Sequence, residues 1–290
     1  MTSVSPKEET TATENSIPIQ AEEVLIKNGR PVSKLDATNV LRSAFSLGER
    51  LQGGRTILKL TNVVTPEELE TLVKASFAAA EQRKGRMEGE GKVCVRLLTV
   101  AAAERDNAPD DALPEEISNL VETILVRVMT FLEDADTICP SLKQTLFGDD
   151  TTPSIAQLFR DNQLLYSSRE PAINVYEAPD GCFAMHKDHH ALSIVIPLSC
   201  PKKHFTGGGT AFWSQSHPVQ GMDRPSLILK PTPGTALLWG GRVSHQGMPI
   251  TSGRRVVLVA SFSGPQGGVG EDVRDRLAAG FGLKTVLSGR

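Results

Sequence analysis

His186-Lys187-Asp188-His189-His190-Ala191-Leu192-Ser193-Ile194-Val195-Ile196-Pro197-Leu198 joins a polar, histidine-rich segment to an apolar run. Side chains of an extended chain alternate with period two, so His186 and Asp188 share a face. Ile194-Val195-Ile196 is apolar on both faces, which predicts a strand buried on both sides beneath a covering layer. On either side, short β-rich runs alternate with Gly and Pro turns: Asn174-Val175-Tyr176, Thr210-Ala211-Phe212-Trp213, Leu227-Ile228-Leu229, Thr235-Ala236-Leu237-Leu238-Trp239 and Val256 to Phe262. Short strands at such intervals predict an all-β barrel or sandwich.

The upstream half has a different texture. Thr56-Ile57-Leu58-Lys59-Leu60 reads as a strand. Thr65-Pro66-Glu67-Glu68 then opens a helix, with Thr65 as N-cap, Pro66 at N1 and Glu68 completing a capping box. Leu69, Leu72, Val73 and Phe77 give that helix one apolar face. A second helix starts at Pro114, with Ile117, Leu120, Val121, Ile124 and Leu125 at helical spacing. These two helices are the expected cover for the sheet. Val273, Leu277 and Phe281 predict a last helix over 271–290. Residues 1–20 hold too few large apolar side chains to offset their ordering entropy and read as a disordered tail. The expected class is mainly β with flanking helices (α+β). Residues 21–290 form one domain, with a helical support region over 55–165 and a β core over 166–264.

Composition narrows the functional classes. The 290 residues carry a net charge of only −3 and no basic stripe interleaved with aromatics, so nucleic acid is not an expected partner. No stretch is apolar and long enough to span a bilayer, and Met1 to Glu9 lacks the apolar segment of a secretory leader. Cys94, Cys139, Cys182 and Cys200 lack metal-binding or redox spacing and read as reduced thiols. Cytoplasm is the default compartment, with the nucleus also open. Oligomeric state is not legible.

The chemistry centres on a few residues. His186 and Asp188, joined by the distant His245, supply two imidazoles and a carboxylate. Such a facial triad holds a non-haem ferrous ion by one face and leaves the opposite positions open. His245 also has a plainer reading, as a core histidine with hydrogen-bonded nitrogens. Arg254-Arg255 opens the run Val256 to Phe262, and a guanidinium buried there needs an anionic partner. A dicarboxylic cosubstrate would supply one in bidentate geometry. The plainer reading is a solvated pair at a hairpin end. Tyr176, ten residues before His186, is either a donor to the same cosubstrate or a core tyrosine. The turn Phe205-Thr206-Gly207-Gly208-Gly209-Thr210-Ala211-Phe212 either brings backbone close to a pocket or is a plain hairpin turn. His189 and His190 are each either a surface loop residue or a further ligand, and His204 and His217, without strand-end context, are read as loop residues.

These segments together resemble the Fe(II)- and 2-oxoglutarate-dependent dioxygenases, most closely the prolyl-hydroxylase-like branch. Tyr176 followed by His186-Lys187-Asp188 looks like that family's Tyr…His-x-Asp segment. Phe205 to Phe212 is similar to its F-x-G-G-x-[LT]-x-F strand-turn, and His245 to Arg255 to its H-x-V-x-P-V-x-x-G-x-[RK] segment. The resemblance covers about Asn174 to Phe262. It implies a double-stranded β-helix (jelly-roll) core of two antiparallel sheets backed by the N-terminal helices. It implies Fe(II) on His186, Asp188 and His245, and 2-oxoglutarate meeting Arg255 and Tyr176 at its far carboxylate. With Gly253 aligned to the family glycine, Arg255 rather than Arg254 is that residue. O2 would complete the reaction, giving hydroxylation with succinate and CO2. The substrate, a peptidyl residue or a small molecule, is not implied. Two alternatives stand beside this reading: a jelly-roll module that binds a metal or ligand without turnover, and a zinc hydrolase, for which no general base is evident in the sequence.

Overall fold

The computed structural model describes residues 18–26, 31–34, 47–84, 94–138, 154–179, 181–214 and 224–264. The helix expected over 271–290 and residues 1–17 of the expected tail lie outside the described residues, whereas Gln20 already opens a strand.

The N-terminal half contains strands β1 (Gln20–Leu25) and β2 (Pro31–Lys34), helix α1 (Leu47–Gln52), strand β3 (Thr56–Thr61) and helix α2 (Pro66–Lys84). Strand β4 (Cys94–Leu98) follows, then helices α3 (Val100–Arg105), α4 (Glu115–Ile138) and α5 (Ile155–Arg160). The second half is β throughout: β5 (Leu165–Tyr166), β6 (Ala172–Glu177), β7 (Phe183–His186), β8 (Leu192–Pro197), β9 (Phe205–Gly207), β10 (Thr210–Trp213), β11 (Leu227–Leu229), β12 (Ala236–Trp239), β13 (Ser244–Gly247) and β14 (Ile250–Ser263).

The strands form a large sheet in the order β2-β1-β3-β12-β8-β14-β6-β4 and a small one in the order β11-β10-β13-β7, with antiparallel pairing in both. From β6 onward the chain passes back and forth between them. Strands β6, β8, β12 and β14 lie in the large sheet, and β7, β10, β11 and β13 in the small one. This alternation winds a jelly roll, and the space between the two sheets is its mouth.

Strand β8 shows why the apolar run is buried on both faces. Leu192, Ile194 and Ile196 share one cluster with Val121, Ile124, Leu125 and Val128 of α4. Ser193 and Val195, pointing the other way, line the cavity between the sheets. Each of those buried aliphatic side chains contributes roughly 1.5–3 kcal/mol. The capping box forms as its residues predict. Thr65 N–H donates to Glu68 Oε2 at 2.8 Å, and Glu68 N–H to Thr65 Oγ1 at 3.2 Å. Arg127 of α4 then grips the Glu68 carboxylate with two 2.9 Å bonds, tying α4 to the start of α2.

The N-terminal region supplies more than helical cover. Strands β1 to β3 extend the large sheet beyond β12, and β4 pairs with β6 at its other edge. Only β3 stood out in the sequence. Strand β4, Cys94-Val95-Arg96-Leu97-Leu98, is short and interrupted by a charge, and pairing with β6 is what makes it a strand. No helix among the described residues is long and apolar enough to cross a membrane.

Candidate metal centre

Strands β7 and β13 are neighbours in the small sheet, and their register sets His186 directly opposite His245. The two ring centroids are 4.3 Å apart. Asp188 lies just beyond β7 and completes the group: Oδ1 is 3.1 Å from His186 Nε2, and Oδ2 is 3.6 Å from His245 Nε2. One donor atom from each of the three lies within 4.8 Å of the others. Donors at right angles on metal bonds of about 2.1 Å would be about 3 Å apart, a separation that the 3.1 and 3.6 Å distances from Asp188 to the two imidazoles approach.

The imidazoles are held ready to ligate. His186 Nδ1 lies 2.8 Å from the Ala184 carbonyl, and His245 Nδ1 lies 3.0 Å from that of Val243. A carbonyl only accepts, so each Nδ1 carries the proton and each Nε2 presents a lone pair to the centre. The Ser193 hydroxyl donates to Asp188 Oδ2 and fixes the carboxylate. Burial opposes charge on Asp188, but the His186 contact, nearby His245 and the Ser193 hydroxyl outweigh it and hold its carboxyl below the usual range. Burial pushes His245 below the ordinary imidazole value, which favours its neutral form. Burial also acts on the more exposed His186, but contact with Asp188 raises it on balance. Trp239, 4.7 Å from the His245 ring, and Phe183, 4.6 Å from the His186 ring, wedge the pair in place.

The cavity over this face encloses about 530 Å³ of atom-free space, its open mouth included. Arg255 lies at one end. It is 4% exposed, and its side chain donates to the Gly209 carbonyl at 2.9 Å and the Thr210 hydroxyl at 3.5 Å. It has no carboxylate partner among the described residues, and the face of Tyr176 lies 6.0 Å from its guanidinium. Tyr176 is 4% exposed, its hydroxyl takes a 3.3 Å bond from Asn174, and burial pushes its phenol well above the usual range. Strand alternation sends Arg254 out of the cavity to pair with Glu81 and with Glu177.

The glycine turn closes over Arg255. Gly207, Gly208 and Gly209 all have positive φ, and a Cβ on Gly208 would sit 3.3 Å from Arg255 Cδ. Glycine is what lets the backbone pass this close. The other histidines stay out of the triad. His190 Nδ1 reaches Ser263 at 3.5 Å, and His204 packs edge-on against Phe77 with ring centroids 5.9 Å apart. His189 lies in the loop after Asp188, and His217 is outside the described residues. Cys94, Cys182 and Cys200 are free thiols, and Cys139 is also outside the described residues.

Several cavity residues escaped the sequence reading: Arg96, Glu170, Asn174, Ser193 and Ser261. Period two from Tyr176 leads to Asn174, and Ser193 and Ser261 are polar breaks in apolar runs, so those three carried a signal. Arg96 and Glu170 belong to no motif.

No protein-family model matches the chain, and no curated protein does. Solved structures do resemble it. A rice dioxygenase for auxin oxidation is 17% identical, aligned over 85% of this chain and 91% of its own, with a TM-score of 0.47. The collagen prolyl hydroxylase of Paramecium bursaria Chlorella virus-1, in its 2-oxoglutarate complex, is 14% identical over 76% of this chain and 99% of its own, with a TM-score of 0.44. A Pseudomonas putida prolyl-4-hydroxylase is 12% identical over 74% and 96%, with a TM-score of 0.37.

Proposed function

We propose that the chain is an Fe(II)- and 2-oxoglutarate-dependent oxygenase that hydroxylates a C–H bond of its substrate. The observation that carries this reading is the presence, in one cavity, of a three-donor face and a buried guanidinium without a carboxylate partner among the described residues. A buried charge with only neutral partners is costly, and a ligand carboxylate offsets that cost. His186, Asp188 and His245 would hold the metal, which when bound supplies the O2 chemistry.

The chain's own residues orient and shield. Arg255 takes the far carboxylate of 2-oxoglutarate in a bidentate contact, with Tyr176 and Thr210 beside it. Ser193 and the Ala184 and Val243 carbonyls keep the three donors aimed at one point. Val195, Val257 and Val259 line the cavity floor and exclude water. Overall, the substrate C–H, O2 and 2-oxoglutarate become the C–OH product, succinate and CO2.

Glu170 favours a second reading. The zinc-hydrolase alternative needs a general base near the triad, and Glu170 is a carboxyl in the same cavity. That reading leaves the buried Arg255 without a purpose, so the oxygenase reading ranks above it. Succinate release from purified protein given Fe(II), 2-oxoglutarate and O2, wild type against Asp188→Ala, tests the proposal. Wild-type succinate that the variant lacks supports it. Bound metal and 2-oxoglutarate with no succinate favours a non-catalytic binding module, and an O2-independent hydrolytic product with zinc favours the hydrolase.

A further inference from the structure

Glu170 stands at the far end of the cavity from Arg255. Arg255, Val257, Val259 and Ser261 line the cavity along β14, and β6 runs antiparallel beside it with Arg255 opposite Tyr176 and Val259 opposite Ala172. Ser261 is six positions along the strand from Arg255, roughly 20 Å of backbone. Glu170, just before β6, lies at the Ser261 end and so cannot share the ligand of Arg255.

Its surroundings are those of a binding group. Glu170 is 8% exposed; Ser261 hydrogen-bonds its carboxyl, while its Oε2 is buried with no hydrogen-bond partner among the described residues. Its backbone carbonyl is gripped by Arg105 from α3, which anchors the residue in the wall. A buried carboxyl oxygen without a partner is costly unless something in the cavity donates to it. Burial above all, with the nearby Asp188 charge adding to it, holds this carboxyl up at about 7 against the opposing pull of Arg96 and the Ser261 hydrogen bonds.

Arg96 supplies the opposite charge from β4. Its Nε is fixed on Asn174 Oδ1 at 2.9 Å, and its guanidinium sits 5.7 Å from the Phe183 ring centre, beside His186. Its terminal nitrogens make no hydrogen bond among the described residues, and no ion pair joins it to Glu170. The cavity thus holds one anchored donor group and one anchored acceptor group, Glu170 at the end away from Arg255 and Arg96 level with Val257, one inward position along the strands from Arg255.

We propose that Arg96 and Glu170 form the substrate subsite, and that it takes a small zwitterion of the amino-acid class. A cationic nitrogen meets Glu170 Oε2, and an acid group meets the terminal nitrogens of Arg96. The proposal rests on the oxygenase reading for the role of the bound molecule as substrate. The subsite itself belongs to the chain and is measurable as binding.

The test is calorimetric titration of the full chain with free α- and ω-amino acids of two to six carbons, with and without Mn(II) and 2-oxoglutarate. N-acetyl and methyl-ester forms of each binder follow. At least one free amino acid binds, and masking either charge weakens it at least about tenfold, as does Glu170→Gln or Arg96→Met. The masked ligands are tested on wild-type protein, so a variant that fails to fold does not blunt the test. The subsite is overturned if no amino acid binds, if masked and free forms bind alike, or if both variants bind as wild type does. It is also overturned if Arg96→Met removes 2-oxoglutarate binding and leaves amino-acid binding intact. Mn(II) and 2-oxoglutarate binding without amino-acid binding sinks the subsite and leaves the oxygenase reading standing. Amino-acid binding without 2-oxoglutarate binding does the reverse.

Discussion

His186 and His245 face each other across the β7–β13 ladder, far apart in sequence and 4.3 Å apart between ring centroids. The sheet register brings them together, and the carbonyls of Ala184 and Val243 turn both Nε2 atoms toward Asp188. Each carbonyl is two residues upstream of its histidine, so the same local geometry orients both rings.

Metal affinity should therefore depend on the groups that aim the donors as well as on the donors. Asp188→Ala should abolish the thermal stabilisation that Mn(II) gives by binding the folded state. Ser193→Ala, which frees the Asp188 carboxylate to rotate, should weaken Mn(II) about 10- to 100-fold. Metal titration followed by thermal melting measures both. A Ser193→Ala protein with wild-type affinity would show that the hydroxyl does not orient the ligand.

The two adjacent arginines should behave differently. Arg255→Ala should weaken 2-oxoglutarate binding by roughly 1.5–3 kcal/mol, about 10- to 150-fold, with little change in Mn(II) binding. Arg254→Ala breaks contacts outside the cavity, with Glu81, Glu177 and the Phe77 ring, and should leave 2-oxoglutarate binding within about threefold of wild type. Equilibrium binding of 2-oxoglutarate to both variants checks this, and a larger loss from Arg254→Ala contradicts the placement of the cosubstrate.

Gly208→Ala puts a methyl group where the turn has none to spare. Gly208 has φ of 65°, and the added Cβ would lie 3.0 Å from the Phe205 ring and 3.3 Å from Arg255 Cδ. The expected loss is about 1–2 kcal/mol from the left-handed backbone alone. Weaker 2-oxoglutarate binding should accompany it, because Arg255 must give way. Urea unfolding and ligand titration of the same variant separate the two effects.

Glu170 predicts a pH dependence of stability in metal-free protein. Burial raises its folded-state pKa from the ordinary 4.5 to about 7. The stability linked to this raised value is fully present below about pH 4.5 and is lost as pH rises through about 7. Above that, the ionised carboxylate costs on the order of 3 kcal/mol. Glu170→Gln should be more stable than wild type at pH 8, and the difference should shrink toward pH 5. Denaturant midpoints of chelator-treated proteins at the two pH values test it, and a pH-independent difference would contradict the assigned environment.

The legible parts of this protein were those written in neighbouring residues. The Thr65–Glu68 capping box, the apolar stripe of α4 and the two-faced burial of β8 each follow from spacing along a few turns or a few strand residues. Strand β4 and residues Arg96 and Glu170 were not legible in that way. Their roles come from pairing with β6, whose partner strand lies far off in sequence.

By itself, then, the sequence determined local periodicity, caps and turns, and it offered His186, Asp188, His245 and Arg255 as residues able to bind a metal and an acid. Only the tertiary structure decided that the β7–β13 register sets the two histidines face to face, that Arg255 points inward and Arg254 outward, and that Arg96 and Glu170 share the cavity. The physical reason is that backbone periodicity is a property of adjacent residues. Cross-strand register is instead set by burial of whole faces, where a one-residue slip would exchange every inward side chain for an outward one.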